Sequence, residues 1–359
     1  MPQPLSIRQL PTTLLLSAAL LAGCASSTST STAPVQTPAA SATALPDYTK
    51  TEPLGAAMEG WAYPYPVQML QFEHEGRLLR MAYMDIQPAQ PNGQTVILFH
   101  GKNFGSDYWA NTLQALSAQG YRVIAPDQIG FGKSSKPEMR YTFALLADNT
   151  VRLLDHLKVN RVAIVANSMG GMVGVHLARR HPQRVSALVL ENPLGLEDYV
   201  PSIPPQETAN LLKLEMQQTT VSYRAFIKSY FKDNYRPEFE RFVAQFARVQ
   251  LSSEYPRVAH VSALTYQMIY DGPTYNELPK LTIPTLLAIG QLDRTVFGRR
   301  FAPPEAVKAM GDYPALGKAA QQRIPGAKLV EFDNVGHVPH LEAPERFHAA
   351  VLGFLADKR

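Results

Sequence analysis

The sequence predicts an α/β fold: a mostly parallel central sheet covered by helices on both faces, with a helical cap insertion. Three observations lead there. Four runs, VILF, VAIV, ALVL and TLLAI, are continuously apolar, as strands buried on both faces should be. Segments of helical periodicity separate most of the strand candidates, which makes βαβ units and parallel neighbours. One stretch between Asn192-Pro193 and Ile283-Pro284 is rich in helix formers and aromatics and shows no clear strand. It is too long for a loop in a compact domain.

In chain order, the first segment is a processing signal rather than fold. One basic residue, Arg8, precedes an apolar run from Leu14 to Ala22, far short of the roughly 20 residues that span a bilayer. This is the shape of a signal-peptide core ending in small residues. Leu21-Ala22-Gly23-Cys24 resembles the lipobox of bacterial lipoproteins. The resemblance implies cleavage after residue 23 and lipidation of Cys24 by diacylglyceryl and N-acyl chains. Each buried CH₂ adds roughly 0.8 kcal/mol, so several chains anchor stably where one does not. Ala25 stands where enterobacterial lipoproteins retained at the inner membrane carry Asp. The implied location is therefore the cell envelope at the outer membrane, facing the periplasm or the surface. Ordinary secretion is the alternative. Cys24 is the single cysteine, so no internal disulfide forms.

Residues 25–46 are Ser, Thr, Ala and Pro apart from Val35, Gln36 and Leu45. No core can be built from them, so residues 24–60 read as a disordered tether and 61–359 as the folded domain.

Strands are expected at 67–72 and 78–86, joined antiparallel through a Gly76 turn, then at 95–100, 122–126, 162–166, 187–190, 285–289 and 328–332. Helical patterns fall at 107–119, 143–157, 169–180 and 344–355. The cap is expected over 194–259, with the helix leading into the 285 strand beyond it. Within the cap, Tyr223, Phe226, Tyr230 and Phe231 recur at helical spacing and must bury against something. They either pack on other cap helices or line a pocket.

A net charge of +4 without a Lys/Arg run is no nucleic-acid footprint. The chemistry lies instead in Ala166-Asn167-Ser168-Met169-Gly170, where a buried strand runs straight into a helix. Such a turn lifts a serine hydroxyl clear of the backbone, and small residues let strand and helix approach. The helix N-terminus favours developing negative charge, and the Met169 N–H becomes an oxyanion donor. A plain helix cap is the bland alternative for Ser168.

This elbow resembles that of the α/β-hydrolase fold superfamily, and four further stretches extend the resemblance over about residues 61–357. His100-Gly101-Lys102-Asn103 is similar to the loop that supplies the second oxyanion N–H, here that of Lys102. Asp127 to Ser134 matches a D-x-x-G-x-G-x-S loop. Gly290-Gln291-Leu292-Asp293 places an acid beyond one strand, and Val335-Gly336-His337 places a histidine beyond the next. The resemblance implies a triad of Ser168, Asp293 and His337 in the chain order this fold uses. Ser168 would attack a carbonyl, His337 would carry its proton, and Asp293 would orient the imidazole. No metal or organic cofactor is expected. Glu191 competes with Asp293 as the acid, and His340 and His100 compete with His337. A serine nucleophile argues against the dehalogenases and epoxide hydrolases of this fold.

Three functions stay open. The first is a carboxylesterase-like hydrolase of an ester, thioester or amide acting on a small molecule with an apolar part. The second is a C–C hydrolase, since Asn167-Ser168-Met169-Gly170-Gly171 also resembles the elbow of the meta-cleavage-product hydrolases. Those relatives carry a cap arginine near the place where Gln245 stands here, with Arg248 slightly later. The third is a membrane-tethered binding protein on a hydrolase scaffold.

Overall fold

The computed structural model describes residues 46–357, so the expected signal peptide, Cys24 and the tract up to Leu45 lie outside the described residues. Eight strands form one sheet: β1 (Gln68–His74), β2 (Arg77–Ile86), β3 (Thr95–Phe99), β4 (Arg122–Pro126), β5 (Val162–Asn167), β6 (Val185–Glu191), β7 (Thr285–Gly290) and β8 (Lys328–Phe332). Their order is β1-β2-β4-β3-β5-β6-β7-β8. Strand β2 runs antiparallel to both β1 and β4, and every pair from β4 to β8 is parallel.

Helices α1 (Ala110–Ala118), α2 (Phe143–His156) and α3 (Met169–Arg180) make the first crossovers. Four more, α4 (Thr208–Met216), α5 (Thr220–Phe231), α6 (Glu240–Gln250) and α7 (Tyr255–Asp271), lie between β6 and β7. The chain closes with α8 (Pro304–Ala309), α9 (Tyr313–Arg323), β8, the short α10 (Pro339–Glu342) and α11 (Pro344–Ala356). Among the described residues no helix is long and apolar enough to cross a membrane.

Alternation along the central strands divides their side chains between two cores. Ile97, Phe99, Ile164, Leu188 and Leu287 pack with residues of α2, α3 and α9. Val96, Leu98, Val165, Val189 and Leu286 pack with residues of α1 and α11 on the other face. The apolar runs are continuous because both faces are covered.

Two boundaries differ from expectation. Residues 47–60 are packed rather than part of a tether. Leu54 is fully buried beside Val249, Tyr255 and Ala259, its N–H donates to the Arg248 carbonyl, and the Tyr48 hydroxyl donates to Glu240 at 2.9 Å. Leu54 and Met58 are the apolar residues that make this packing favourable. The second boundary is in the cap region, where the helical stretch runs past Ala259. Helix α7 continues to Asp271 because Val261, Ala263, Met268 and Ile269 extend its buried face.

Candidate active site

The ends of β3, β5, β6, β7 and β8 converge. Ser168 follows β5 directly, with φ 56° and ψ −122°, a conformation that non-glycine residues adopt only when the surroundings enforce it. Here its N–H donates to the Glu191 carbonyl at 3.0 Å, and its own carbonyl accepts from Gly171 and Leu194. A Cβ at Gly170 would run into the Phe99 carbonyl, so only glycine lets α3 pass over the end of β3. The Ser168 hydroxyl makes no capping bond to α3. The helix-cap reading is thereby removed, and the side chain lines a cavity of about 600 Å³.

His337 sits between β8 and α10. Its N–H donates to the Tyr230 carbonyl at 2.8 Å, and its Nδ1 lies 2.6 Å from Asp293 Oδ2. Its Nε2 is buried without a hydrogen-bond partner, and the Tyr230 ring stacks on the imidazole at 4.5 Å. Asp293 also accepts from Asn192 Nδ2 at 2.8 Å and from the Thr295 N–H at 2.9 Å. Burial pushes this carboxyl up, but the His337 charge and hydrogen bonds from His337 and Thr295 outweigh it, and the net shift is below the ordinary carboxylate range.

The rival acid and the rival histidine are paired with each other. Glu191 Oε2 lies 2.8 Å from His340 Nδ1, and Oε1 accepts the His340 N–H at 2.6 Å. The His340 ring stacks on Trp109 at 3.8 Å. His100 is also spoken for: Nδ1 lies 2.8 Å from the Gly101 carbonyl and Nε2 accepts the Gln128 N–H. Asp127 organises its loop, accepting from the Ser106 and Lys133 N–H groups and from the Tyr63 hydroxyl, each at 2.7 Å.

The two expected oxyanion donors flank the elbow. Met169 opens α3, so its N–H has no partner within the helix. Lys102 lies in the turn after β3, where a Cβ on the preceding Gly101 would touch Ser168 Cβ at 3.3 Å. Sequence reasoning gave no such role to three contributors. Asn192 ties Asp293 to the β7 end, since its Oδ1 also accepts the Gly290 N–H at 2.9 Å. Thr295 donates to Asp293, and Tyr108 bridges the Gly101 N–H and Asn167 Oδ1. Only the Asn192-Pro193 boundary hinted at the first.

Of the cap aromatics, Tyr223, Phe226 and Tyr230 line the cavity, and Phe231 is wholly buried against Phe239. Gln245 lines it too, whereas Arg248 turns to the Glu52 carbonyl at 2.7 Å. Among the described residues no group of three or more His, Cys, Asp or Glu could hold a metal ion.

The family described as alpha/beta hydrolase fold matches residues 94–344. The chain belongs to this family. As an alpha/beta hydrolase it is 30% identical over 274 residues to a 2-hydroxy-6-oxo-6-(2'-aminophenyl)hexa-2,4-dienoic acid hydrolase of Metapseudomonas resinovorans, covering 74% of this chain and 84% of the relative. It is 29% identical over 282 residues to a 2-hydroxymuconate semialdehyde hydrolase of Pseudomonas putida, covering 75% and 89%. Among solved structures, a probable hydrolytic enzyme of Pseudomonas aeruginosa PAO1 superposes with a TM-score of 0.83 at 43% identity, over 85% of this hydrolase and 98% of that chain.

Proposed function

We propose that this hydrolase cleaves a carboxylic ester, or a thioester or amide, through an acyl-enzyme on Ser168. The observation that carries the reading is the His337–Asp293 contact of 2.6 Å together with a buried, unpartnered His337 Nε2, at the end of the sheet where Ser168 is raised into a cavity. In this reading Ser168 Oγ attacks the carbonyl carbon while His337 Nε2 takes its proton. The N–H groups of Lys102 and Met169 hold the oxyanion. His337 then protonates the leaving group; water, giving its proton to His337, next attacks the acyl carbon, and the bond to Ser168 Oγ breaks as Oγ takes that proton back and the acid departs.

A second reading is C–C hydrolysis, favoured by relatives whose names are those of dienoic acid and semialdehyde hydrolases. The ester reading is preferred because Gln245 stands near the cap-arginine place and Arg248 donates to the Glu52 carbonyl. A fluorophosphonate probe should label Ser168, and the Ser168→Ala variant should neither label nor turn over. Parallel assays on nitrophenyl esters and on a vinylogous 1,5-diketone acid then choose between the bonds. A folded protein that resists the probe and cleaves neither substrate supports a binding role instead.

A further inference from the structure

The cavity over Ser168 carries an excess of positive charge. Lys102, Lys136, Lys232, Arg294, Arg299 and Arg300 line it, and Glu215 is the one acid among the lining residues. Most of these cations sit where solvent or carbonyl oxygens serve them. Lys136, for example, donates to the Ser134 carbonyl.

Lys102 differs. Its ammonium has three donors, and the only hydrogen bond among the described residues is to Ser262 Oγ on α7, at 2.8 Å. No carboxylate makes an ion pair with it, so two N–H donors of a half-buried cation lack a protein acceptor. They face the cavity, where an anionic group that enters can accept from them. Ser262 also lines the cavity, and a hydroxyl that accepts from an ammonium keeps its own proton to donate. Burial lowers the lysine from its ordinary range, Glu215 opposes that shift and Arg300 adds to it.

We infer that the Lys102 ammonium and the Ser262 hydroxyl form a subsite for an anionic group of the substrate, a carboxylate a few carbon atoms from the reacting carbonyl. The position follows from the chain. Lys102 directly follows Gly101, which abuts Ser168, while its four-carbon stem carries the charge away to α7. One residue therefore offers its N–H to the oxyanion and its side chain to the distal end of the acyl group. The inference rests on the ester-hydrolase reading at Ser168.

The test compares mono-nitrophenyl adipate with nitrophenyl hexanoate, which share a chain length and differ in the terminal carboxylate. The measured quantity is the ratio of their kcat/KM values, so that general losses cancel. The wild type should favour the adipate ester, and Lys102→Met should lower the ratio roughly 10- to 100-fold, the range of a charge-assisted hydrogen bond. Lys102→Arg should retain most of it, and Ser262→Ala should lower it less. A wild-type ratio at or below one overturns the subsite. So does a Lys102→Met ratio that is unchanged while the melting temperature falls, which would make the Lys102–Ser262 bond a mere tie between loop and α7. Adipate binding gives an arm independent of turnover: adipate should raise the melting temperature of Ser168→Ala but not of Lys102→Met. If neither ester is cleaved and adipate still stabilises Ser168→Ala, the ester reading fails and the subsite stands. If the hexanoate ester is cleaved and adipate has no effect, the reverse holds.

Discussion

Glu191 holds His340 at two points, the backbone N–H at 2.6 Å and Nδ1 at 2.8 Å, which makes a second buried carboxylate–imidazole pair beside Asp293–His337. The arrangement separates two roles that are chemically alike. Glu191 also offers its backbone carbonyl to the Ser168 N–H, so this pair braces the elbow from β6. Removing one partner of a buried pair leaves the other uncompensated, at a cost of about 3–5 kcal/mol. Glu191→Gln should therefore lower stability by roughly that amount in urea unfolding, while the folded fraction keeps much of its turnover. Asp293→Asn should do the opposite, cutting kcat by about 10⁴-fold with a smaller change in stability. Loss of turnover in a stable Glu191→Gln protein would transfer the acid role to Glu191.

Backbone crowding makes Gly290 a sharp probe. A Cβ there would overlap the Gly336 carbonyl, and Gly336 precedes His337. Gly290→Ala should displace the histidine loop and reduce both activity and melting temperature. Gly353 in α11 has nothing within 4 Å of its would-be Cβ. Gly353→Ala should thus be neutral or stabilise by up to about 1 kcal/mol. Equal effects of the two changes would refute the crowding argument.

Phe226 is 36% exposed, lines the cavity and meets the Tyr230 ring edge-on at 4.9 Å. Truncating a side chain this open should cost less than about 1 kcal/mol of stability. Phe226→Ala should nevertheless shift the preference among nitrophenyl esters of increasing chain length, because it removes one wall. An unchanged profile with a markedly lower melting temperature would assign the residue to cap packing alone.

His348 predicts an acid-sensitive step. Burial, with a smaller contribution from His340, pushes its pKa down to about 4, against some opposition from Glu345. Its Nε2 lies 3.1 Å from Thr112 Oγ1, joining α11 to α1. Its folded pKa is below its unfolded value near 6.5. The unfolded chain therefore binds the proton first, and stability falls as pH drops from about 6.5 towards 4. His348→Gln should flatten the melting-temperature profile across that window. A profile of unchanged slope would mean that another group governs it.

At the N-terminus, Leu21-Ala22-Gly23-Cys24 motivates a lipid anchor at the outer membrane. Cys24→Ser should release the protein from membrane fractions or leave an unprocessed precursor. Mass spectrometry of the mature N-terminus should find an acylated cysteine, and an unmodified start beyond residue 24 would refute the anchor.

Although the helices α8 and α9 between β7 and β8 were not expected, the sequence alone determined the order of strands, the first crossover helices and the last helix, the Ser168 elbow and the chain order of the candidate serine, acid and histidine. These are local properties. Burial on both faces appears as an unbroken apolar run, and a strand-to-helix turn needs small residues beside the serine. It left the acid and the histidine ambiguous, because Glu191 ends one strand, Asp293 closely follows another, and His337 and His340 lie three residues apart. Tertiary structure decided the pairing: sheet order places β6 beside β7, and Glu191 meets a partner 149 residues away. It also gave Asn192 its contact to Asp293, Tyr230 its stacking on His337, and Leu54 its burial. Each of these depends on which segments the sheet and the helices between β6 and β7 bring together, and no periodicity within a single segment encodes that.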